Sequence, residues 1–256
     1  MLTSFLLRTL ALAPLLSAAY DGHATTLGPD DDAGNNATLG TCQLMKTLRN
    51  AVRFQVSLSA HQWARGANCG RCVQAQCSNC PSPLPITAQV TDRCSNCPAG
   101  DIDVSRPMFQ ALFGAPTGRR PLKWGFVDCP VEATLALCTK PRNTSLYTIF
   151  VQPTNTVSGV ANMTIDGFKG RLSGKGSYFF KAPMPRNWSD VLINLTATNG
   201  EKITASVALR SGRCVTIPHQ FQPTAVGSAL IQASSSSLDS DDDIVVPTTT
   251  PRPVPY

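Results

Sequence analysis

The chain has 256 residues, 42% hydrophobic and only 15% charged, with 18 glycines, 20 prolines and a formal net charge of +6. That apolar content excludes a fully disordered chain, and no run after residue 20 approaches the ~20 consecutive apolar residues that span a bilayer. Sparse charge with abundant Gly and Pro favours short strands and turns over long salt-bridged helices.

Residues 1–19 hold an apolar run from Leu10 to Leu16 followed by Ser17, Ala18 and Ala19, with Arg8 ahead of it. This is the layout of a secretory signal peptide cleaved after about Ala19. Asn-x-Ser/Thr sequons at Asn36, Asn143, Asn162, Asn187 and Asn194 agree with a secretory route and predict surface glycans. An extracellular, cell-wall location is expected.

Residues 20–40 read as an acidic, Gly/Asn-rich disordered leader, and residues 226–256 as a Ser/Thr/Pro/Asp-rich disordered tail of stalk composition. Between them, residues 41–139 carry nine of the ten cysteines, whereas residues 140–225 carry one. That break predicts two domains meeting near Thr139–Asn143.

The cysteines are Cys42, Cys69, Cys72, Cys77, Cys80, Cys94, Cys97, Cys129, Cys138 and Cys214. Three Cys-x-x-Cys pairs have zinc-ribbon spacing, but in an oxidising lumen an even count reads as a disulfide framework. Five disulfides are expected, with the pairing left open. No metal and no cofactor are expected.

Residues 40–225 hold 20 Lys and Arg against eight Asp and Glu, which leaves a net charge of +12. A body that basic attracts polyanions. Secretion, and the lack of a basic motif interleaved with aromatics, argue against nucleic acid. Acidic polysaccharide or a charged wall is the better partner, for a monomeric protein that does not enter membranes.

In chain order, Ile86, Ala88 and Val90 alternate with polar residues up to Thr91-Asp92, as in a half-buried strand. Ser105 is placed to cap a short helix with Met108, Phe109, Leu112 and Phe113 on one face and Gly114 as its stop. Leu122, Trp124 and Phe126 alternate likewise, and Trp63 and Trp124 fall in core patterns. Beyond residue 140, segments such as 146–151, 161–165, 177–181, 191–196 and 203–209 read as short strands of an antiparallel sandwich.

The order Val90-Thr91-Asp92, Asp101-Ile102-Asp103-Val104-Ser105 and Lys123-Trp124-Gly125-Phe126-Val127-Asp128-Cys129-Pro130 resembles expansins and expansin-like proteins over residues 40–222. The resemblance implies a mostly β protein: a six-stranded double-psi β-barrel over 41–139, then a β-sandwich carbohydrate-binding domain over 140–225. It implies that Asp103 and Asp92 line a polysaccharide groove. Asp101-Ile102-Asp103 looks like microbial members of the family, whereas the His-Phe-Asp of plant members is absent.

Glycoside hydrolysis normally needs two carboxylates flanking the bond. By the resemblance, Asp103 stands where related barrel hydrolases carry the acid, and their base lies in the N-terminal third of the barrel. No Asp or Glu occurs from residue 33 to residue 91, so that position is empty. The reading is therefore a non-enzymatic protein that loosens plant-type walls of cellulose, xyloglucan or xylan, and acidic pectin. The rivals are a barrel-type endo-β-1,4-glucanase, and a secreted barrel-fold elicitor or defence protein with an unrelated tail.

Flat sugar rings stack on exposed aromatics. In the second domain Tyr147, Phe150, Tyr178 and Trp188 are the carbohydrate-binding candidates, with Phe179 beside them. His61 is expected at the surface, and His23 and His219 in or beside the polar flanks.

Overall fold

A computed structural model describes residues 20–27, 40–77, 80–81, 84–131, 133–141, 145–174 and 177–224. The signal peptide, the tail and the Asn36 and Asn143 sequons lie outside the described residues.

Six strands close into a barrel: β1 Tyr20–Thr26, β2 Gln55–Ser59, β3 Cys72–Gln76, β4 Ile86–Cys94, β5 Ile102–Val104 and β6 Arg120–Val127. Around the ring the order is β1-β5-β2-β4-β3-β6, and β6 returns to β1. β1 and β5 run parallel, as do β2 and β4, and the other neighbours are antiparallel. Inward positions alternate as the pleat requires, so Val56, Leu58, Val90, Ile102, Val104 and Trp124 fill the core. The Trp124 indole donates to the Gly100 carbonyl at 2.7 Å, which satisfies its buried N–H.

The leader expected over residues 20–40 is corrected by β1. Residues 20–26 are not an unstructured acidic segment but a strand of the barrel, paired with β5 and β6. Composition concealed it because the strand is polar on one face only. Ala24 is fully buried and the Tyr20 ring stacks on Trp124 at 4.4 Å, while Asp21 faces outward to Lys123. Gly22 permits a close backbone approach, since a Cβ there would come within 2.1 Å of the Gly100 carbonyl oxygen.

Two short helices flank the ring, α1 Ala60–Trp63 and α2 Arg106–Phe113. The second is the helix expected after Ser105. Met108, Phe109 and Leu112 are buried, and Gly114 ends it at φ +69°. Ser105 does not cap it through its side chain. Its hydroxyl instead donates to the Arg53 carbonyl at 2.5 Å and accepts the Gln55 amide, tying β5 to the entry of β2.

The second module has β7 Ala136–Thr139, β8 Thr148–Thr154, β9 Val160–Ile165, β10 Phe168–Lys169, β11 Arg171–Leu172, β12 Phe180–Pro183, β13 Val191–Ala197, β14 Lys202–Val207 and β15 Cys214–Thr216. They form two antiparallel sheets, ordered β10-β9-β13-β14 and β11-β12-β8-β7-β15. The boundary expected near residue 140 therefore moves toward the N-terminus, because β7 pairs with β8 and β15 rather than with any barrel strand. Cysteine density misplaced it: Cys138 bonds to Cys214, within the second module.

The other disulfides are Cys42–Cys69, Cys72–Cys129, Cys77–Cys80 and Cys94–Cys97, so all ten cysteines are bridged. Cys72–Cys129 closes 57 residues of barrel, which on chain-entropy grounds stabilises it by about 4 kcal/mol.

The two modules share one hydrophobic core. Buried Gln152 on β8 reaches into the barrel. Its Nε2 donates to the Gln43 and Tyr178 carbonyls, and its Oε1 accepts the Met45 amide at 2.7 Å. The Arg71 guanidinium carbon lies 3.9 Å from the Phe126 ring centroid, and a Cβ on Gly159 would sit 2.6 Å from the Arg71 side chain. The described residues between 136 and 221 thus form a folded unit seated on the barrel, contrary to a lone barrel with an unrelated tail.

Candidate functional site

Barrel register brings four polar side chains into one lateral row. Thr25 on β1 stands opposite Asp103 on β5, Asp103 opposite Ser57 on β2, and Ser57 opposite Asp92 on β4. Thr25, Asp103 and Ser57 alternate with core residues, and a register shift between β2 and β4 brings Asp92 into line with them, between buried Thr91 and exposed Arg93; Ser57 itself is buried beneath the row. Ile102 and Val104 are fully buried on either side of Asp103, as are Val56 and Leu58 on either side of Ser57.

The Thr25 hydroxyl donates to the Asp103 carboxylate. Half-burial raises the Asp103 carboxyl above its ordinary pKa despite that bond, and the negative charges of Asp101 and Asp92 push the same way. Asp92 is anchored differently. Its Oδ1 accepts the Thr41 and Arg93 amides, each at 2.7 Å. The Ser57 hydroxyl is buried with no hydrogen-bond partner.

Beside this row, Asp101 accepts the His23 amide at 2.8 Å and the Arg119 guanidinium at 2.9 Å. Burial pushes its carboxyl up, but Arg119 and the His23 amide more than offset this and hold it below the ordinary value. Asp101, His23, Arg119, Arg120 and Lys123 line a cleft of about 780 Å³ whose apolar side includes Phe113. His23, placed by sequence among the polar flanks, belongs to this cleft.

The Cys94 and Cys97 sulfurs lie within 4.8 Å of an Asp103 oxygen. Joined to each other, they offer no thiolate ligand. They instead wall the row with a polarisable apolar surface.

From Asp92 the row continues toward the second module. Thr41 leads to Gln43, whose side-chain oxygen accepts the Lys140 ammonium at 3.3 Å. Lys140 lies over Phe150 at 5.4 Å, and Phe150 is half-buried on β8.

The other aromatic candidates separate by exposure. Tyr147 is 82% exposed, beside the equally open Leu146. Tyr178 is corrected as a stacking residue: at 2% exposure it is sealed between the modules, its ring against Gly70 and its amide bonded to the Cys42 carbonyl. Burial pushes its phenol pKa up. Phe179 is buried too, and Trp188 is half-buried against the core. Asn162 and Asn187 are exposed, whereas Asn194 is half-buried and hydrogen-bonded to Thr164 and Thr204.

Sequence reasoning missed Thr25, Ser57, His23 and Arg119. Thr25 carries no local signal, because its partner Asp103 is 78 residues away.

No family model matches the chain, and no curated protein matches it by sequence. Comparison with solved structures finds the apo expansin of Clavibacter michiganensis at TM-score 0.66 and 21% identity, over 81% of this chain and 100% of that one. A point mutant of the Clavibacter michiganensis expansin, in complex with cellohexaose, matches at the same TM-score and coverage with 20% identity. At that identity the likeness speaks for architecture, and the chain has an expansin-like fold.

Proposed function

We propose that this chain is a secreted, glycosylated expansin-like protein that binds cell-wall polysaccharide and loosens it without hydrolysis. On this reading the ring is a double-psi β-barrel holding a glucan chain across Thr25, Asp103 and Asp92, with Ser57 buried beneath them. The second module is a β-sandwich that anchors the same wall. The solved expansin bound to cellohexaose supports a cellulose-type ligand.

The observation that carries the reading is the placement of Asp103 and Asp92 in one row on one barrel face. A hydrolase sets its acid and its base or nucleophile on either side of the scissile bond. Two carboxylates on a common floor lie under the chain instead. A half-buried Asp103 with a raised pKa can share a proton with a sugar hydroxyl and break glucan–glucan hydrogen bonds. Asp92, held by two amides, fixes the edge of the floor.

A raised carboxyl pKa also suits a general acid, which keeps an endo-β-1,4-glucanase as the second reading. Both are decided on purified protein. Extension of isolated wall strips with no reducing ends released from soluble β-1,4-glucan supports loosening. Catalytic release of reducing ends, abolished by Asp103→Asn, establishes the glucanase instead.

A further inference from the structure

The chain carries the same tetrapeptide twice, as Cys77-Ser78-Asn79-Cys80 and Cys94-Ser95-Asn96-Cys97. Each closes on itself as a disulfide between residues 3 apart. So short a ring removes little entropy from the unfolded chain, and opening it leaves the barrel held by the longer bridges. Those bridges are sealed, since Cys42, Cys69, Cys72, Cys129 and Cys138 are at most 1% exposed. Cys97 is half-buried in the connection after β4, whereas Cys94 ends that strand in register with Ser59 and is 8% exposed. A thiol arriving from solvent therefore meets Cys97 first and makes Cys94 the departing sulfur.

The two copies differ in what surrounds them. The Cys94 sulfur, the Cys97 sulfur and an Asp103 carboxylate oxygen all lie within 4.8 Å of one another, and among the described residues this is the one such grouping. Cys77 and Cys80 instead border the cleft of Arg119, Arg120 and Lys123. A spacing of that size lets a carboxyl pass a proton to sulfur directly or through one water. Burial, Asp101 and Asp92 raise the Asp103 pKa and the Thr25 hydroxyl opposes them, so the carboxyl is able both to hold and to release a proton.

We infer that Cys94–Cys97 is a thiol–disulfide exchange site for low-molecular-weight thiols and disulfides, with Asp103 as the group that carries the proton of Cys94. In opening, a thiolate attacks the Cys97 sulfur and the Cys94–Cys97 bond breaks. Its electron pair passes to Cys94, which takes the proton held by Asp103. A second thiolate attacks the incoming sulfur of the mixed disulfide and frees Cys97. Two thiols are thereby oxidised to one disulfide and the two cysteines are reduced. The protons of the two thiols end on Cys94 and Cys97, the first by way of Asp103. Closing runs the same steps backwards: ionised Asp103 takes the Cys94 proton, and the Cys94 thiolate attacks the mixed disulfide on Cys97. This activity is separate from polysaccharide binding and does not require it.

The test uses the full mature, disulfide-bonded protein with 2-mercaptoethanol and its disulfide as uncharged probes. Timed alkylation followed by peptide mass spectrometry reads each bridge separately. Cys94–Cys97 is expected to open at least about tenfold faster than Cys72–Cys129, because access sets the rate of exchange. In Asp103→Asn, closing of Cys94–Cys97 by the disulfide probe should slow about tenfold, while Cys77–Cys80 keeps its wild-type rates. Charge alone predicts the opposite sign, since removing a nearby anion favours the Cys94 thiolate and would speed closing. The proposal is overturned if Cys94–Cys97 opens no faster than Cys72–Cys129, a result that needs no variant. It is also overturned if Asp103→Asn closes this bridge as fast as wild type or faster. Equal slowing at both tetrapeptides overturns it as well, by assigning the change to the barrel as a whole.

Discussion

Thr25 and Asp103 face each other across the parallel β1–β5 pair, and the threonine hydroxyl is the hydrogen bond that moderates the raised pKa of the carboxyl. A bond worth about 1 kcal/mol corresponds to about 0.7 pKa unit. Thr25→Val should therefore move the upper limb of the pH profile of wall extension to higher pH by about that amount, with the fold intact. An unshifted profile would mean that Asp103 is not the group being titrated.

For Asp103 the folded-state pKa lies above the unfolded one. Ionisation then weakens the native state at neutral pH, and the penalty disappears as pH falls below the raised value. Asp103→Asn should match or exceed wild-type stability at neutral pH and lose that advantage below pH of about 4. Urea unfolding at the two pH values measures this, and the variant should fail to extend wall strips.

Gly40 lies where a Cβ would come within 2.3 Å of the Thr91 carbonyl oxygen, next to the Thr41 amide that holds Asp92. Gly40→Ala should force that segment away, costing about 1–3 kcal/mol as overpacking does and weakening cellohexaose binding through Asp92. Calorimetric unfolding and a binding isotherm on the same sample read the two effects.

At the contact between modules, Gln152 satisfies the buried Tyr178 carbonyl and two part-buried backbone groups, the Gln43 carbonyl and the Met45 amide. Gln152→Leu keeps much of the volume and strands the buried Tyr178 carbonyl at about 1–3 kcal/mol, with smaller losses at the two part-buried groups. A loss of several kcal/mol in thermal or urea unfolding is expected, together with faster proteolysis between the modules. Near-wild-type stability would show that the modules do not depend on this contact.

Helix α2 and strands β4 and β6 were legible because local rules suffice for them: a serine and a glycine bracket an apolar face, and side chains alternate about a pleat. Asp103 and Asp92 stood out through motif order, and the barrel register sets them in one lateral row. Thr25 and Ser57 did not, since their significance lies in register with strands far along the chain. Tyr178 illustrates another limit. An aromatic on a strand-like segment reads as exposed or buried only once the neighbouring module is placed, and here the barrel covers it. Cysteine density likewise misled about β7, because a disulfide reports which chains meet rather than where a domain ends.

Because β1 lies at the start of the barrel but pairs with strands 78 to 104 residues later, it emerges from the ribosome long before anything can hold it. Loop-closure entropy must be met before those pairings form, which makes ring closure late and slow compared with assembly of the local β9–β10 and β13–β14 hairpins. Until then Thr25 and Asp103 stand apart and the Trp124 ring lacks its Tyr20 cover. The Thr25–Asp103 pair is therefore expected to be among the last parts of the barrel to form, once the first strand is captured.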